Sequence, residues 1–290
     1  MHNSHLLTHT AGFGTDRSDP LLTRWRESRG ESLNRRNMTL VQGALKPLLF
    51  EPGTGWSYGT STDWAGLLVM RLNDMSLEAY MQKYIWDPLG IRDITFHQEL
   101  KPEVRKHLVT MTTRGSQALY STAVKTEDKV QWTEEKLYDD PIPHESGSGG
   151  AIGSAVEFSK ILHSINADDG RLLMSETIDD MFTPQLEGEV LAKFIETREP
   201  LAADGMFTAH KPGEKLQYGL AGMIVLDDTD TGLKAGTLTW SGLPTLLWTI
   251  DMESGLSLMY ASNIVPFGDL KSHKMQQLFE KEMYKRLLEV

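Results

Sequence analysis

The sequence contains no cysteine, and this absence excludes several kinds of chemistry. Disulfide bonds, thiolate nucleophiles and cysteine-ligated zinc sites are all ruled out. Long apolar runs are also missing, since none approaches the roughly 18 residues of a membrane-spanning helix. The first 30 residues show no basic segment followed by an apolar core, which is the pattern of a signal peptide. We therefore expect a cytoplasmic protein with no membrane partner.

Positive charge is scarce relative to negative charge. The chain has 29 Lys and Arg against 40 Asp and Glu, which gives a net charge of −11. We expect no nucleic-acid partner, because nucleic acids attract basic surfaces. Apolar residues make up 40% of the 290 residues, which is enough for a substantial core. We expect a single domain over residues 1–290.

Two short motifs suggest a bound metal or nucleotide, and neither is complete. His5 and His9 have the spacing of a zinc-protease helix, but Leu6 stands where that motif has its catalytic glutamate. The glycine-rich run 147–153 departs from a dinucleotide-binding loop because Ile152 occupies the position of the last glycine, and it lacks the lysine of a phosphate-binding loop. We predict no metal and no cofactor, and we interpret the glycine run as a point of close backbone approach.

Hydrophobic periodicity predicts helices first and strands afterwards. Ser76 and Ser154 stand where helix N-caps are expected. From residue 217 onward, β-rich runs at 218–226, 238–240, 245–250 and 256–261 predict an antiparallel meander. Asp269 is predicted to cap a final helix. The inward face of that helix is expected to carry Leu270, Met275, Leu278, Met283 and Leu287. This order indicates an α+β fold, with a mainly helical and loop region at 1–210 and an antiparallel sheet plus C-terminal helix at 211–290.

The segment 50–60 contains two overlapping motifs. Residues 55–59 have the form Gly-x-Ser-x-Gly, which is the nucleophile elbow of α/β-hydrolases and would make Ser57 the nucleophile. That elbow requires a strand running directly into the turn. Residues 52–55 are instead predicted to be a loop, which weakens this interpretation. In the other interpretation, Tyr58 stands on a turn before a helix and presents its phenol to a pocket, where a nearby lysine ammonium would favour proton transfer. From the residues alone, a buried structural tyrosine is an equally good interpretation.

Segments spread over the whole chain resemble, in the same order, the family of class C β-lactamases, D-alanyl-D-alanine carboxypeptidases and family VIII esterases. They are His5-Leu-Leu-Thr-His-Thr-Ala-Gly12, Pro52-Gly-Thr-Gly-Trp-Ser-Tyr58, Trp86-Asp-Pro-Leu-Gly-Ile91, the glycine-rich turn 147–154, and Trp240-Ser-Gly242 followed by Asp251-Met-Glu-Ser-Gly-Leu256. The residues around Tyr58 also resemble fungal esterases and acyltransferases. The resemblance implies a β-lactamase/transpeptidase-like fold, in which helices flank an antiparallel sheet beside a mainly helical region. It also implies a small-molecule ester or acyl substrate.

The same resemblance implies roles for particular residues. Tyr58 would be the catalytic general base. The substrate pocket would be lined by Thr60, Trp240, Ser241, Gly242 and Leu243. The backbone N–H of Leu243 would form one half of an oxyanion hole. Tyr58 and Trp240 are therefore expected to face one pocket.

Three departures from the family's pattern change the expected activity. Trp240 stands where β-lactamases have the lysine of Lys-Thr-Gly, so esters fit better than penicillins. Thr60 replaces the asparagine of Tyr-x-Asn, which removes a polar amide facing the substrate. The third departure concerns the nucleophile motif Ser-x-x-Lys, because none of the 16 lysines has a serine three residues before it. Threonine stands there instead at Thr122, Thr126, Thr133, Thr208 and Thr231.

Only four residues precede His5, where the family has Ser-x-x-Lys and two sheet strands. We therefore expect a truncated chain that lacks the N-terminal strands and the nucleophile helix. The expected function is that of an esterase or acyltransferase relative, impaired or inactive without its nucleophile. The alternatives are a non-catalytic small-molecule-binding protein that retains the pocket, and a non-covalent reaction such as isomerisation. We also expect self-association through an exposed sheet edge.

Overall fold

The computed structural model describes residues 3–16, 19–31, 38–115, 128–134, 136–203 and 210–289. The chain forms two compact units, each built from separate stretches. The first unit comprises Met1–Arg105, Tyr138–Ile152 and Leu186–Phe194. The second unit comprises Lys106–Leu137, Gly153–Gln185 and Ile195–Val290. The interpretation of residues 1–290 as a single domain stays a prediction.

Helices account for most of the regular structure before residue 204, and one long helix closes the chain. The α-helices of the described residues are α1 (Asn3–Leu7), α2 (Pro20–Ser28), α3 (Leu40–Ala44), α4 (Ser61–Asn73), α5 (Leu77–Met81), α6 (Asp87–Leu89), α7 (Pro102–Arg105), α8 (Ala155–Asn166), α9 (Ser175–Phe182), α10 (Gly188–Ala203) and α11 (Leu270–Leu287). A π-helical turn at Gln82–Trp86 joins α5 to α6, and a 3₁₀ turn at Gln98–Leu100 precedes α7. The predicted N-caps Ser76, Ser154 and Asp269 are confirmed, since each side chain accepts a hydrogen bond from the backbone N–H three residues later. Among the described helices, none has the length and the apolar composition that crossing a bilayer requires.

The strands form two sheets, both in the second unit. They are β1 (Thr112–Arg114), β2 (Val130–Trp132), β3 (Leu216–Tyr218), β4 (Met223–Val225), β5 (Leu238–Gly242), β6 (Leu246–Asp251), β7 (Leu256–Ala261) and β8 (Ile264–Val265). The larger sheet is antiparallel in the order β3-β4-β5-β6-β7, and the smaller has the order β2-β1-β8 with a parallel β1–β8 pair. A mainly helical region before an antiparallel sheet confirms the predicted α+β class.

The run 218–226 is two strands and not one. The backbone N–H of Gly219 donates to the carbonyl of Gly222 (2.8 Å) and closes a turn between β3 and β4. The chain turns there in a crowded place, since a Cβ on Gly219 would lie 2.7 Å from the carbonyl oxygen of Met181. The run 245–250 corresponds to β6, which pairs on both sides and offers no open edge. Within the described residues, β3 and β7 are each paired on one side only, so the run 256–261 lies at one edge of the sheet. Self-association through an exposed edge stays a prediction.

In the first unit, α4 packs against α1 and α5 and also supports the glycine-rich turn. A Cβ on Gly147 would lie 2.1 Å from the carbonyl oxygen of Thr62, so this position requires glycine. The carboxylate of Asp63, on the first turn of α4, accepts hydrogen bonds from the hydroxyls of Ser146 and Ser148 (2.6 Å for Ser148). The interpretation of the glycine run as a close backbone approach is confirmed.

The predicted inward face of α11 is wrong. Leu270, Met275, Leu278 and Leu287 are exposed and Met283 is half-buried. The buried face instead carries Ser272, His273, Gln276, Glu280 and Tyr284. Hydrogen bonds hold this polar face, because the hydroxyl of Tyr284 donates to the buried carboxylate of Asp251 (2.6 Å). Helical periodicity alone does not reveal such an arrangement, since it assumes that the apolar face is the buried one.

Candidate active site

The loop before Tyr58 has no regular structure. Residues 51–60 contain turns and bends but no strand, and the N–H of Thr54 donates to the carbonyl of Glu51 (3.0 Å). A Cβ on Gly55 would lie 3.1 Å from the ring of Phe50. A nucleophile elbow needs a strand that runs directly into its serine. The interpretation of Ser57 as an elbow nucleophile is therefore not supported by the local backbone.

The segment that follows α1 fixes the backbone on both sides of Tyr58. The N–H of Ser57 donates to the carbonyl of His9 (3.1 Å), and the hydroxyl of Thr15 donates to the carbonyl of Tyr58 itself (3.2 Å). The next residue, Gly59, lies so close to this segment that a Cβ would fall 2.2 Å from the carbonyl oxygen of Phe13. Three consecutive residues are thus held in place, which defines where the Tyr58 side chain leaves the chain.

A row of aromatic rings leads from the core to Tyr58. The ring of Phe194, which is 1% exposed, meets the edge of the Trp56 ring with centroids 5.0 Å apart. The ring of Trp56 lies 6.1 Å from that of His9, and His9 lies 4.7 Å from Tyr58 at an interplanar angle of 53°. Tyr58 itself is 40% exposed. The phenol is therefore supported from the inside and open to solvent on the outside, as proton exchange with a bound molecule requires.

His9 is an uncharged member of this row. It is 2% exposed, and burial lowers its pKa from 6.5 to about 3 because an imidazolium would lose its hydration there. Its backbone is left-handed, with φ +58°, a conformation that histidine adopts more readily than most residues. The imidazole is consequently neutral at any pH near neutrality and contacts Tyr58 without placing a positive charge beside it.

Thr60 and Ser61 begin α4 directly after the Tyr58 turn. Both are buried, at 4% and 0% exposure, and neither hydroxyl has a hydrogen-bond partner among the described residues. Thr60 is the N-cap residue of α4, but its side chain makes no capping hydrogen bond. A buried hydroxyl without a partner destabilises the fold, so both hydroxyls are unfavourable where they lie.

In the second unit, β5 carries Trp240, Ser241 and Gly242. Trp240 pairs directly with Trp248 of β6, and its half-buried ring meets the buried ring of Tyr218 edge to face at 5.4 Å. Ser241 and Gly242 are half-buried as well. Leu243 follows immediately and opens the turn into β6. The sheet thus holds the Trp240 side chain in a fixed direction.

The structure brings Tyr58 and Thr60 together in the first unit, and Trp240 to Leu243 in the second. A pocket shared by Tyr58 and Trp240 stays a prediction. The contact of His9 with Tyr58 is not visible in the sequence, where His9 is one half of an incomplete zinc motif. Among the described residues, no group of three or more histidines and carboxylates is placed to hold a metal ion.

The first unit also contains a cavity of about 420 Å³, and none of the predicted site residues lines it. Its apolar lining includes Leu40, Val41 and Met70. On its polar side, Nε2 of His97 lies 2.8 Å from Oε1 of Glu145. This hydrogen bond raises the pKa of His97, because the carboxylate stabilises the imidazolium. Partial burial of the ring lowers the pKa of His97, whereas Glu99, whose Oε1 lies 3.1 Å from Nδ1, raises it.

Comparisons with known proteins assign the sequence motifs to one family. The sequence profile of the family described as Beta-lactamase matches residues 3–280. A lovastatin esterase from Penicillium rubens is 33% identical over 286 residues, which are 97% of this chain and 69% of that protein. A monacolin J acid methylbutanoyltransferase from Aspergillus terreus is 28% identical over 282 residues, which are 97% of this chain and 66% of that protein. The chain thus spans about two thirds of the length of these relatives.

Solved structures show the same likeness. The LovD6 mutant of simvastatin synthase (LovD) from Aspergillus terreus superposes with a TM-score of 0.87 at 30% identity, covering 100% of this chain and 67% of that one. EstCE1, described as a hydrolase with promiscuous acyltransferase activity, superposes with a TM-score of 0.72 at 18% identity, covering 97% of this chain and 71% of that one. The second likeness concerns the fold alone. Together they confirm the β-lactamase/transpeptidase-like fold.

Proposed function

Because the chain belongs to the β-lactamase family, we propose that it carries the proton-transfer and acyl-binding parts of an esterase or acyltransferase site for small esters. Tyr58 is the proton-transfer residue of this site. The observation that carries the proposal is the phenol of Tyr58, which is exposed although the backbone on both sides of it is fixed. The relatives named as an esterase and as an acyltransferase support the same reaction class.

The chemistry of acyl transfer assigns the remaining parts. Such reactions need a nucleophile, a group that moves its proton, and N–H donors for the oxyanion. In the proposed site, the N–H of Leu243 is one such donor. Trp240, Ser241, Gly242 and Thr60 are the pocket residues of the proposed site. The indole of Trp240 offers an apolar surface to an acyl chain and no cation to a carboxylate, which favours neutral esters over penicillins.

The nucleophile is the missing part. No lysine of the 290-residue sequence has a serine three residues before it. Loss of a nucleophile that works as a unit with its base lowers kcat by a factor on the order of 10⁶. We therefore propose that this 290-residue chain binds small esters but turns them over at best very slowly.

Hydrolysis of p-nitrophenyl butyrate tests this proposal. We expect the folded chain to release p-nitrophenolate at no more than the rate of a buffer control, and Tyr58→Phe to leave that rate unchanged. Ser57→Ala is the matched variant on the neighbouring residue. Robust turnover that is lost in Ser57→Ala would overturn the assignment of the site to Tyr58 and would restore Ser57 as a nucleophile.

A second candidate function is non-catalytic binding of a small molecule in the same pocket. The half-buried Trp240 ring favours it, since a ligand stacked there would change the indole fluorescence. Titration with an unreactive butyrate amide should give a saturable fluorescence change that Trp240→Phe removes. Trp132→Phe is the control, because Trp132 lies on β2 with 74% exposure and should leave the change intact. A change that persists in Trp240→Phe would count against the pocket.

We also propose that the edge of β7 pairs with a second copy of the chain. Leu256–Ala261 carries no charge and no proline, which are the usual features that keep an edge strand from pairing. Two uncharged edges meet without electrostatic repulsion. The partners of the chain are then a small ester or acyl compound and another copy of itself.

A further inference from the structure

His9 lies beside Tyr58, the proposed proton-transfer residue. Its carbonyl accepts the hydrogen bond from the N–H of Ser57, and its ring lies 4.7 Å from that of Tyr58. One residue therefore holds both the backbone before Tyr58 and the phenol ring itself. A contact of this kind limits the rotation of the ring about its side-chain bonds.

The position of His9 is itself constrained by its backbone and by the ring of Trp56. Its backbone has φ +58°, in the left-handed region. The edge of the Trp56 ring lies behind it at 6.1 Å, and Trp56 is in turn held by the ring of Phe194 at 5.0 Å. Phe194 and His9 are 185 positions apart in the sequence but lie in the same unit. His9 is thus a rigid support, since it cannot move without displacing a buried tryptophan.

Two roles are chemically open to an imidazole beside a phenol. As an imidazolium it would stabilise the phenolate and activate Tyr58, and as a proton acceptor it would take the phenol's proton. Both roles put a positive charge on a ring that is 2% exposed. Burial lowers the pKa of His9 to about 3, because an imidazolium would lose its hydration there. Both charged roles are therefore disfavoured, and only the neutral ring remains.

We propose that His9 is a positioning residue for Tyr58, which fixes the phenol ring by contact with an uncharged imidazole and neither activates it nor accepts its proton. This proposal rests on Tyr58 being the proton-transfer residue of the site. It implies that a flat, uncharged ring of similar size can replace His9, whereas a side chain without a ring cannot. It also implies that the contact does not change between neutral and mildly acidic pH.

The order of the Tyr58 ring, measured by NMR relaxation on the chain with ¹³C-labelled tyrosine, tests this role without requiring turnover. The Tyr58 signal is assigned by its loss in Tyr58→Phe. His9→Asn removes the ring but suits the left-handed backbone, and His9→Phe keeps a ring. We expect the Tyr58 ring to have the same high order parameter in the wild type and in His9→Phe, and a clearly lower one in His9→Asn. The Tyr218 ring, which contacts Trp240 in the other unit, should be unchanged in all variants.

Three results would overturn the proposal. One is an unchanged Tyr58 ring in a folded His9→Asn variant. Another is a loosened ring in His9→Phe, which would show that the imidazole nitrogens matter. A third, measured on the wild type alone, is the absence of nuclear Overhauser contacts between the His9 and Tyr58 rings, and it applies even if both variants fail to fold. The ring measurement is also distinguishable from the proposed function. Turnover of p-nitrophenyl butyrate that is lost in Ser57→Ala would overturn the proposed site, whereas the order of the Tyr58 ring reports on the His9 contact alone.

Discussion

Acid should unfold this chain in a way that depends on two buried histidines. His9 and His273 are 2% and 7% exposed, and burial lowers their pKa values from 6.5 to about 3 and about 4. Asp269 raises the pKa of His273, but burial outweighs it. In the unfolded chain both imidazoles take up a proton as the pH falls below 6.5, whereas in the folded chain they remain neutral until the pH is far lower. Their contribution to stability is therefore fully present above that value and is lost as the pH falls toward 4 and 3.

The size of the effect follows from the pKa shifts. Each pH unit between the unfolded and the folded pKa changes the free energy of unfolding by about 1.36 kcal/mol per histidine. Acidification to about pH 4.5 covers about two such units, so each histidine should remove about 2.5 kcal/mol, or about 5 kcal/mol together. This is a large share of the roughly 5–15 kcal/mol by which proteins of ordinary stability are folded. Glu280 opposes the trend, because burial raises its pKa, and so does His97, whose pKa is raised by its hydrogen bond to Glu145.

Urea unfolding at pH values from about 7.5 to 4.5 measures the effect. Comparing the wild type with a histidine variant cancels the contributions of Glu280 and His97, because both proteins contain these groups. His9→Phe should lose about 2.5 kcal/mol less than the wild type over this range, whatever its stability at neutral pH. His273→Phe should behave in the same way. His163→Phe is the control, because His163 is an exposed histidine on α8. Parallel curves for the wild type and His9→Phe would refute the reasoning, since they would show that His9 is charged or exposed in the folded state.

Two further predictions concern single side chains. Gly59→Ala should destabilise the chain by roughly 1–3 kcal/mol and displace Tyr58, because its Cβ would lie 2.2 Å from the carbonyl oxygen of Phe13. Gly242→Ala is the control, since its Cβ would have no neighbour nearer than 3.8 Å, and it should be nearly neutral in thermal melts. Ser257→Lys on the edge of β7 should reduce self-association in sedimentation experiments, as edge lysines do. A monomeric wild type at high concentration would contradict the proposed pairing.

The order of elements could be predicted from the sequence because it depends on local patterns. Alternation and turn residues predicted β7 at its observed bounds, and polar side chains at Ser76, Ser154 and Asp269 predicted three helix starts. The face of α11 could not be predicted in this way. Its buried Tyr284 is paired with Asp251, which lies 33 positions away, and no local pattern records such a bond.

The candidate site shows the same division between local and distant information. The motif around Tyr58 and the run Trp240–Gly242 are visible as short segments, and the sequence identified both. The ring contacts that support Tyr58 involve His9 and, through Trp56, Phe194. The sequence motifs that contain His9 do not indicate a contact with Tyr58, and a phenylalanine on a helix such as Phe194 is an ordinary feature. Only the folded chain brings these rings into one row.

The central claim is that this 290-residue chain holds the Tyr58 part of an acyl-transfer site without a serine nucleophile. Intact-mass measurement after treatment of the folded chain with a fluorophosphonate tests it most directly, because such reagents mark activated serines covalently. We expect no mass increase under conditions that fully label a known serine esterase. A stoichiometric adduct, located on any serine of the chain by peptide mapping, would contradict it and would identify the nucleophile.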